Sequence, residues 1–107
     1  MGWDALKVKV RLFTRLREIA GEPEVMLDLP ENATLGEALE ALAIKYGSEF
    51  KRYLFEGEGH VGPEGYADPR PYLQFLVDGK NADTMGGLRM RLWEGCLLAI
   101  IPPVGGG

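Results

Sequence analysis

Cys96-Leu97-Leu98-Ala99-Ile100-Ile101 is the last apolar stretch of the chain, and it runs directly into Pro102. A short run that is apolar at every position is typical of a strand covered on both faces. Such a strand lies inside a sheet rather than at its edge, because an edge strand leaves one row of backbone groups unpaired. This stretch therefore predicts the interior strand on which the fold is built.

Three other segments have the residue pattern of strands. Residues 6–13 alternate between apolar side chains and basic ones, as a half-buried strand does. In residues 25–29, Val25, Leu27 and Leu29 alternate with Met26 and Asp28, and the segment ends at Pro30, which cannot continue a sheet ladder. Residues 72–77 predict a third strand, closed by a turn at Asp78-Gly79, and residues 88–92 predict a short edge strand.

One main helix is predicted over residues 35–46. Apolar residues recur there at helical spacing. Thr34 and Glu37 have the spacing of a capping box, in which each side chain accepts a hydrogen bond from the other residue's backbone. Gly47 stands where a left-handed residue would close the helix.

The remaining segments are short or irregular. Residues 14–20, closed by Gly21, predict a brief helical turn, and residues 48–55 predict one more turn. Residues 56–71 are rich in glycine, proline and charge, which predicts a long flexible loop.

The order of these elements predicts an α+β fold. It consists of a mixed sheet of four to five strands with one main helix packed across it. Placing the last strand beside the first buries the apolar run between neighbours, and this arrangement is the β-grasp. The 107 residues suffice for one such domain. We assign the β-grasp domain to residues 1–101 and a protruding C-terminal tail to residues 102–107.

The tail is the main functional clue. Proline restricts the backbone and favours an extended segment, so less entropy is lost when the tail enters a narrow channel. Glycine has no Cβ to block close approach to the terminal carboxylate. The alternative is that terminal glycines are simply frayed, as many chain ends are. The residues concerned are Pro102, Pro103, Val104, Gly105, Gly106 and Gly107.

Several segments together resemble the small, sulfur-carrier subunit of molybdopterin synthase. They are residues 8–13, 16–21, 93–95 and 100–104, followed by the terminal glycines. The resemblance covers nearly the whole chain apart from residues 57–71. This MoaD-like family is ubiquitin-like and is similar to the thiamine-pathway sulfur carrier, ubiquitin-related modifiers and small archaeal modifier proteins. The chain departs from the family pattern in ending on three glycines, where a small or polar residue usually precedes two.

The resemblance implies a chemistry for the tail. An E1-like adenylating enzyme would activate the Gly107 carboxylate with ATP and Mg²⁺, and a persulfide sulfur donor would convert it into a thiocarboxylate. The chain itself would bind no cofactor and no metal. The large subunit of molybdopterin synthase would be its acceptor partner.

Phe13 and Ile101 are the predicted partner-binding residues. Phe13 follows the first strand and Ile101 precedes the proline pair, so both can flank the emerging tail. The resemblance implies an apolar patch at this place. The alternative is that both side chains belong to the core, because an exposed apolar group is informative only within a patch.

Composition excludes several other classes of function. The formal net charge of −4 disfavours a general nucleic-acid binder and favours a basic partner surface. Cys96 is the sole cysteine, so the chain alone cannot form a disulfide, a four-thiolate zinc site or an iron–sulfur cluster, and we expect a buried thiol. No apolar stretch is long enough to span a membrane, and the cytoplasm is the expected compartment.

One motif in the loop is a chance match. Gly57, Gly59 and Gly62 have the spacing of a dinucleotide-binding turn, but Pro63 follows them instead of a helix that could hold a pyrophosphate. His60, the only histidine, lies within this match and is expected to be solvated.

Three functional hypotheses remain open. The first is a sulfur carrier that supplies sulfide from a Gly107 thiocarboxylate for the dithiolene of a molybdenum or tungsten cofactor. The second is a ubiquitin-like modifier joined through Gly107 to lysines of target proteins. The third is a noncatalytic β-grasp interaction domain, for which the tail would be dispensable.

Overall fold

The computed structural model describes residues 6–54 and 73–102. The predicted loop at residues 56–71, with the Gly57 motif and His60, lies outside the described residues, as do residues 103–107 of the tail. Five strands and three α-helices are assigned: β1 (Leu6–Arg11), α1 (Thr14–Ala20), β2 (Glu24–Leu29), α2 (Leu35–Tyr46), α3 (Ser48–Leu54), β3 (Gln74–Val77), β4 (Lys80–Asn81) and β5 (Leu97–Ile101). Two short 3₁₀ helices, Ala82–Met85 and Gly87–Arg89, lie between β4 and β5.

The strands form one mixed sheet in the order β2-β1-β5-β3-β4. β5 pairs in parallel with β1 on one side and antiparallel with β3 on the other. The interior position predicted for the apolar run is therefore confirmed, as is its placement beside the first strand.

The core lies between one face of this sheet and the helices. Along β1 and β5 every second side chain is buried, because successive side chains of a strand point to opposite faces. Cys96, expected to be buried, has no exposed surface. The buried residues of the sheet include Val8, Val10, Val25, Leu27, Leu29, Phe75, Val77, Leu98 and Ile100, and those of the helices include Leu16, Leu35, Ala38, Leu39, Leu42, Phe50 and Leu54.

The start of α2 has the predicted capping box. The Thr34 hydroxyl accepts a hydrogen bond from the Glu37 backbone N–H at 3.2 Å, and the Glu37 carboxylate accepts one from the Thr34 N–H at 2.8 Å. The next backbone N–H, that of Leu35, donates to the Met90 carbonyl at 2.9 Å. The cap therefore joins α2 to the segment that leads into β5.

The end of α2 differs from the prediction. Gly47 has a φ of +98°, which favours glycine, but its ψ of −172° lies outside the left-handed helical region. The chain turns there directly into α3, and the Tyr46 ring stacks on Phe50 with ring centroids 5.2 Å apart. The helix therefore ends at the predicted glycine, but without the predicted left-handed conformation.

The prediction of an edge strand at residues 88–92 is wrong. Gly87–Arg89 forms a 3₁₀ helix, and Arg91 makes only an isolated bridge with Thr34. The apolar side chains of this segment face the core beneath α2, and the Leu92 N–H donates to the Ala33 carbonyl at 2.8 Å. The edge strand is instead β4, which pairs with β3 across a tight turn.

Replacing Thr34 by Ala should lower the free energy of unfolding by about 1 kcal/mol, because the first turn of α2 loses its side-chain acceptor. Urea unfolding followed by circular dichroism would measure the change. Ile44→Ala is the matched control on the same helix: Ile44 is 80% exposed, so its removal should alter stability by less than about 0.5 kcal/mol. Equal losses in the two variants would contradict a specific role for the cap.

Candidate functional site

The strand that precedes the predicted tail lies in the middle of the sheet. β5 ends at Ile101, and Pro102, the last described residue, is half-buried. Because β5 is flanked by β1 and β3, the tail begins between two strands and not at a free edge. The site is therefore the surface around the end of β5.

The strand register places Phe13 level with Ile101 near the end of β5. The parallel register pairs Arg11 with Ala99, and the same offset continued by two residues brings Phe13 level with Ile101. The backbone is still extended there: the Leu12 N–H donates to the Pro23 carbonyl at 2.8 Å, and Phe13 has φ −131° and ψ 153°. Both side chains are half-buried.

Five half-buried apolar residues form what we call the apolar strip. Strand alternation places the three members on β5 on the face opposite the buried Leu98 and Ile100, and Leu76 is the cross-strand partner of Ala99. Among the described residues, the partly buried side chains that pack against the core do not include any member of the strip. The strip consists of Phe13, Leu76, Leu97, Ala99 and Ile101.

The chain turns sharply just after Phe13. Thr14, the first residue of α1, has a φ of +46°, in a region that a β-branched side chain rarely adopts. Only Leu12 and Phe13 separate the end of β1 from the start of α1. Phe13 is consequently left at the strand end, beside the tail exit, instead of joining the helix.

Ion pairs cover the adjoining half of the outer face. The Arg11 guanidinium donates to the Glu24 carboxylate at 2.7 and 2.9 Å, and the Lys7 ammonium lies 3.6 Å from the Asp28 carboxylate. The hydrogen bond from Arg11 lowers the pKa of Glu24. Both pairs are exposed, so solvent screens them and they add little to stability.

The start of β5 is anchored by Asp78, at the β3–β4 turn. Its carboxylate accepts hydrogen bonds from the Trp93 indole N–H at 3.0 Å and from the Leu97 backbone N–H at 2.8 Å. Its own N–H donates to the Leu97 carbonyl at 2.9 Å. From the sequence we predicted only a turn residue here. An Asp before Gly signals a turn, but nothing in the pattern shows that the turn meets residue 97.

β1 anchors the same end of β5 from the other side. The Glu94 carboxylate accepts from the Lys7 N–H at 3.0 Å, and the Gly95 N–H donates to the Lys7 carbonyl at 2.8 Å. The Lys9 N–H donates to the Cys96 carbonyl at 3.0 Å. Hydrogen bonds from both neighbouring strands thus hold the strand that carries the tail.

Cys96 is not placed for nucleophilic chemistry. Burial raises the pKa of its thiol, which favours the protonated, unreactive form. Within residues 6–54 and 73–102, no three His, Cys, Asp or Glu side chains are grouped to hold a metal ion. No helix in the described part of the chain is long and apolar enough to cross a membrane.

The structure describes three of the predicted site residues, Phe13, Ile101 and Pro102, and all three are half-buried. The β1–β5 register, continued past its last pair, places Phe13 level with Ile101, which directly precedes Pro102. The other predicted site residues lie outside the described residues: Pro103, Val104, Gly105, Gly106 and Gly107. Sequence reasoning missed Leu76, Leu97 and Ala99 as outer-face residues, because an all-apolar run does not show which of its side chains point outward.

A mixed sheet with a central parallel pair, a helix across its inner face and a C-terminal strand leading into the tail defines a ubiquitin-like β-grasp protein. The sequence model of the ThiS family matches residues 10–107, and the chain belongs to this family. The fold and the family resemblance predicted from the sequence are both confirmed.

Known proteins similar to this chain include both carriers and modifiers. The molybdopterin synthase sulfur carrier subunit of Drosophila yakuba is 30% identical over 104 residues, which cover 95% of this chain and 92% of that protein. Small archaeal modifier protein 3 of Haloferax volcanii is 24% identical over 102 residues, which cover 95% of this chain and 100% of that protein.

A solved structure is also similar to this chain in both fold and sequence. The solution structure of small archaeal modifier protein 1 from Methanosarcina acetivorans has a TM-score of 0.77 and 32% identity, over 96% of this chain and 98% of that one. Together the similarities identify a ubiquitin-like protein of the sulfur-carrier or modifier type. Similarity to a synthase subunit indicates protein partners of the kind that carriers have.

Replacing Asp78 by Ala should cost about 1–3 kcal/mol of unfolding free energy, because two donors lose their acceptor and Ala must adopt a φ of +51°. Asp78→Asn should lose less, since Asn keeps one acceptor oxygen and tolerates positive φ. Urea unfolding measured by circular dichroism would rank the variants. Asp83→Ala, at a nearby exposed carboxylate, is the control, and an equal loss there would contradict the anchoring role.

Proposed function

We propose that this protein is a sulfur carrier for molybdopterin synthesis. An E1-like enzyme adenylates Gly107 with ATP and Mg²⁺, a persulfide protein supplies sulfur, and the large subunit of molybdopterin synthase accepts it. One observation carries the proposal. The strand that leads into the glycine tail is the central strand of the sheet, and it ends beside an apolar strip on the open outer face.

The proposed chemistry makes a poor electrophile reactive. The Gly107 carboxylate attacks the α-phosphorus of ATP, and pyrophosphate leaves. The persulfide sulfur attacks the carbonyl carbon of the acyl adenylate and AMP leaves, which joins the carrier to the donor through a sulfur–sulfur bond. A second thiol then breaks that bond, forming a disulfide with the donor and leaving a thiocarboxylate on Gly107. The partners supply the ATP, the metal ion and the nucleophile.

In this proposal the contribution of the chain is docking and presentation. Phe13 and Ile101 contact the activating enzyme and then the synthase large subunit. Their half-buried side chains flank the exit and lie outside the set that packs on the core, which supports docking over a core role. In this proposal every transfer first requires activation of the carrier with ATP. We therefore propose the cytoplasm as the compartment in which the carrier acts.

The second candidate function is protein modification. The names of the two archaeal relatives favour it, since both are called modifier proteins. In this case the amine of a target lysine attacks the same acyl adenylate, and an isopeptide bond replaces the thiocarboxylate. The two functions share the activation step, so they differ in the nucleophile that follows it.

Intact-mass analysis after incubation with the activating enzyme, ATP, Mg²⁺ and a persulfide donor tests the chemistry. The expected result is a mass gain equal to replacement of one oxygen by one sulfur at Gly107. Deleting Gly107 should abolish the gain while the circular dichroism spectrum stays unchanged. A fully active truncation would contradict the carrier role, and Gly107-linked lysines on other proteins would favour the modifier.

Phe13→Arg and Ile101→Arg should each raise the KM of the activating enzyme for the carrier at least about tenfold, because an apolar contact is replaced by an unpaired charge. The midpoint of thermal unfolding should change little. Ile44→Arg, the same type of change on the exposed side of α2, is the control and should leave KM unaltered. A large drop in melting temperature with either Phe13 or Ile101 would instead show that the residue is part of the core.

A further inference from the structure

The ion-pair ladder of the outer face has a gap at Lys9. The three cations of β1 lie opposite three residues of β2 in antiparallel register. Lys7 faces Asp28 and Arg11 faces Glu24, but Lys9 faces Met26. Among the described residues, Lys9 has no ion-pair partner.

The carboxylates near Lys9 are already occupied. Lys9 is close enough to Glu24 to lower its pKa, but less strongly than Arg11, which holds that carboxylate through two hydrogen bonds. Asp78 lies in the same row on the far side of Leu97, and its oxygens accept from Trp93 and Leu97. Lys9 is exposed, and no carboxylate of residues 6–54 and 73–102 forms an ion pair with it.

The neighbours of Lys9 are apolar. Met26 lies across from it on β2 and is 51% exposed, although it is an apolar side chain. Leu97 lies beside it on β5 and is half-buried. Because Leu97 also belongs to the apolar strip, this row continues the surface that surrounds the tail exit. We call Met26, Lys9 and Leu97 the Lys9 subsite.

We propose that the Lys9 subsite docks the adenylating enzyme, through an Asp or Glu carboxylate that is flanked by an apolar side chain. The carboxylate pairs with Lys9, and the apolar group covers Met26 and Leu97. An ion pair formed across an interface is desolvated by the surrounding contact, so it discriminates between partners more strongly than an exposed pair does. The inference rests on the proposed function, because it assigns a contact to the enzyme that activates Gly107.

The local charge at the subsite differs in sign from the net charge of the whole chain. The net charge of −4 favours a basic partner surface. On the β1–β2 half of the outer face, however, three cations stand against two carboxylates. The Debye length in physiological salt is about 8 Å, so a docking partner senses this face more than the distant charges of the chain. The partner surface at the subsite is accordingly acidic.

Kinetics of carrier adenylation with Lys9 variants test the subsite. Lys9→Glu should raise the KM for the carrier at least about tenfold, and Lys9→Gln about threefold, with kcat unchanged because the tail chemistry is untouched. Raising the salt concentration should weaken binding of the wild type to the adenylating enzyme more than binding of Lys9→Gln, because salt screens the charge that this variant lacks. Lys80→Glu is the matched control and should leave KM unaltered. Lys80 is an exposed lysine on the edge strand β4, where its strand partner is Val77 of β3.

A direct measurement of binding to the adenylating enzyme, by calorimetry without ATP, separates the two proposals. If the wild type gains sulfur but Lys9→Glu binds equally well, or Lys80→Glu binds as poorly, the subsite is wrong and the proposed function stands. If binding depends on Lys9 but Gly107 is never converted, the proposed chemistry is wrong and the subsite stands. If the wild type neither binds the enzyme nor gains sulfur, both proposals are overturned; if it gains sulfur without measurable binding, only the subsite is.

Discussion

The parallel pairing of β1 with β5 is the interaction on which the rest of the structure depends. Parallel strands cannot be joined by a tight turn, so everything between them in the chain must form a crossover. In this protein β2, the helices, β3 and β4 all lie within that crossover. Hydrogen bonds from the Lys9 N–H and the Gly95 N–H set the register of the pair. That register also brings Phe13 level with Ile101, so the constraint that organises the fold also places two side chains at the exit of the tail.

The two faces of the sheet have separate roles for a physical reason. The helices need an apolar face to cover, and the inner side chains of β1 and β5 supply it with essentially no exposed surface. The outer side chains of these strands do not pack against the helices, so the core does not require them all to be apolar. The outer face combines the apolar strip with charged residues. The overall composition does not show that these residues lie on the same face. Anchoring of β5 by Asp78 and Glu94 holds this face in place without using its outward side chains.

Sequence reasoning failed where tertiary packing competes with local pattern. Residues 88–92 alternate as a strand does, yet Met90 and Leu92 are buried beneath α2 and the segment has no strand partner beyond one bridge. Gly47 was correctly predicted as the end of α2, but its ψ of −172° differs from the predicted left-handed cap, and α3 begins at the next residue. In both cases the residue types were informative about burial or turning, and the local pattern did not give the backbone geometry.

The sequence by itself determined the class of fold, the interior position of the last strand, the capped helix and the glycine tail. Each of these depends on local chemistry: an unbroken apolar run, a Thr and Glu three residues apart, or residues without a Cβ. Only the tertiary structure decided which face each side chain occupies, that Asp78 holds Leu97, and that Lys9 lies opposite Met26 between two ion pairs. Those facts depend on strand register, which is set by hydrogen bonds between residues far apart in the chain and leaves no trace in local sequence.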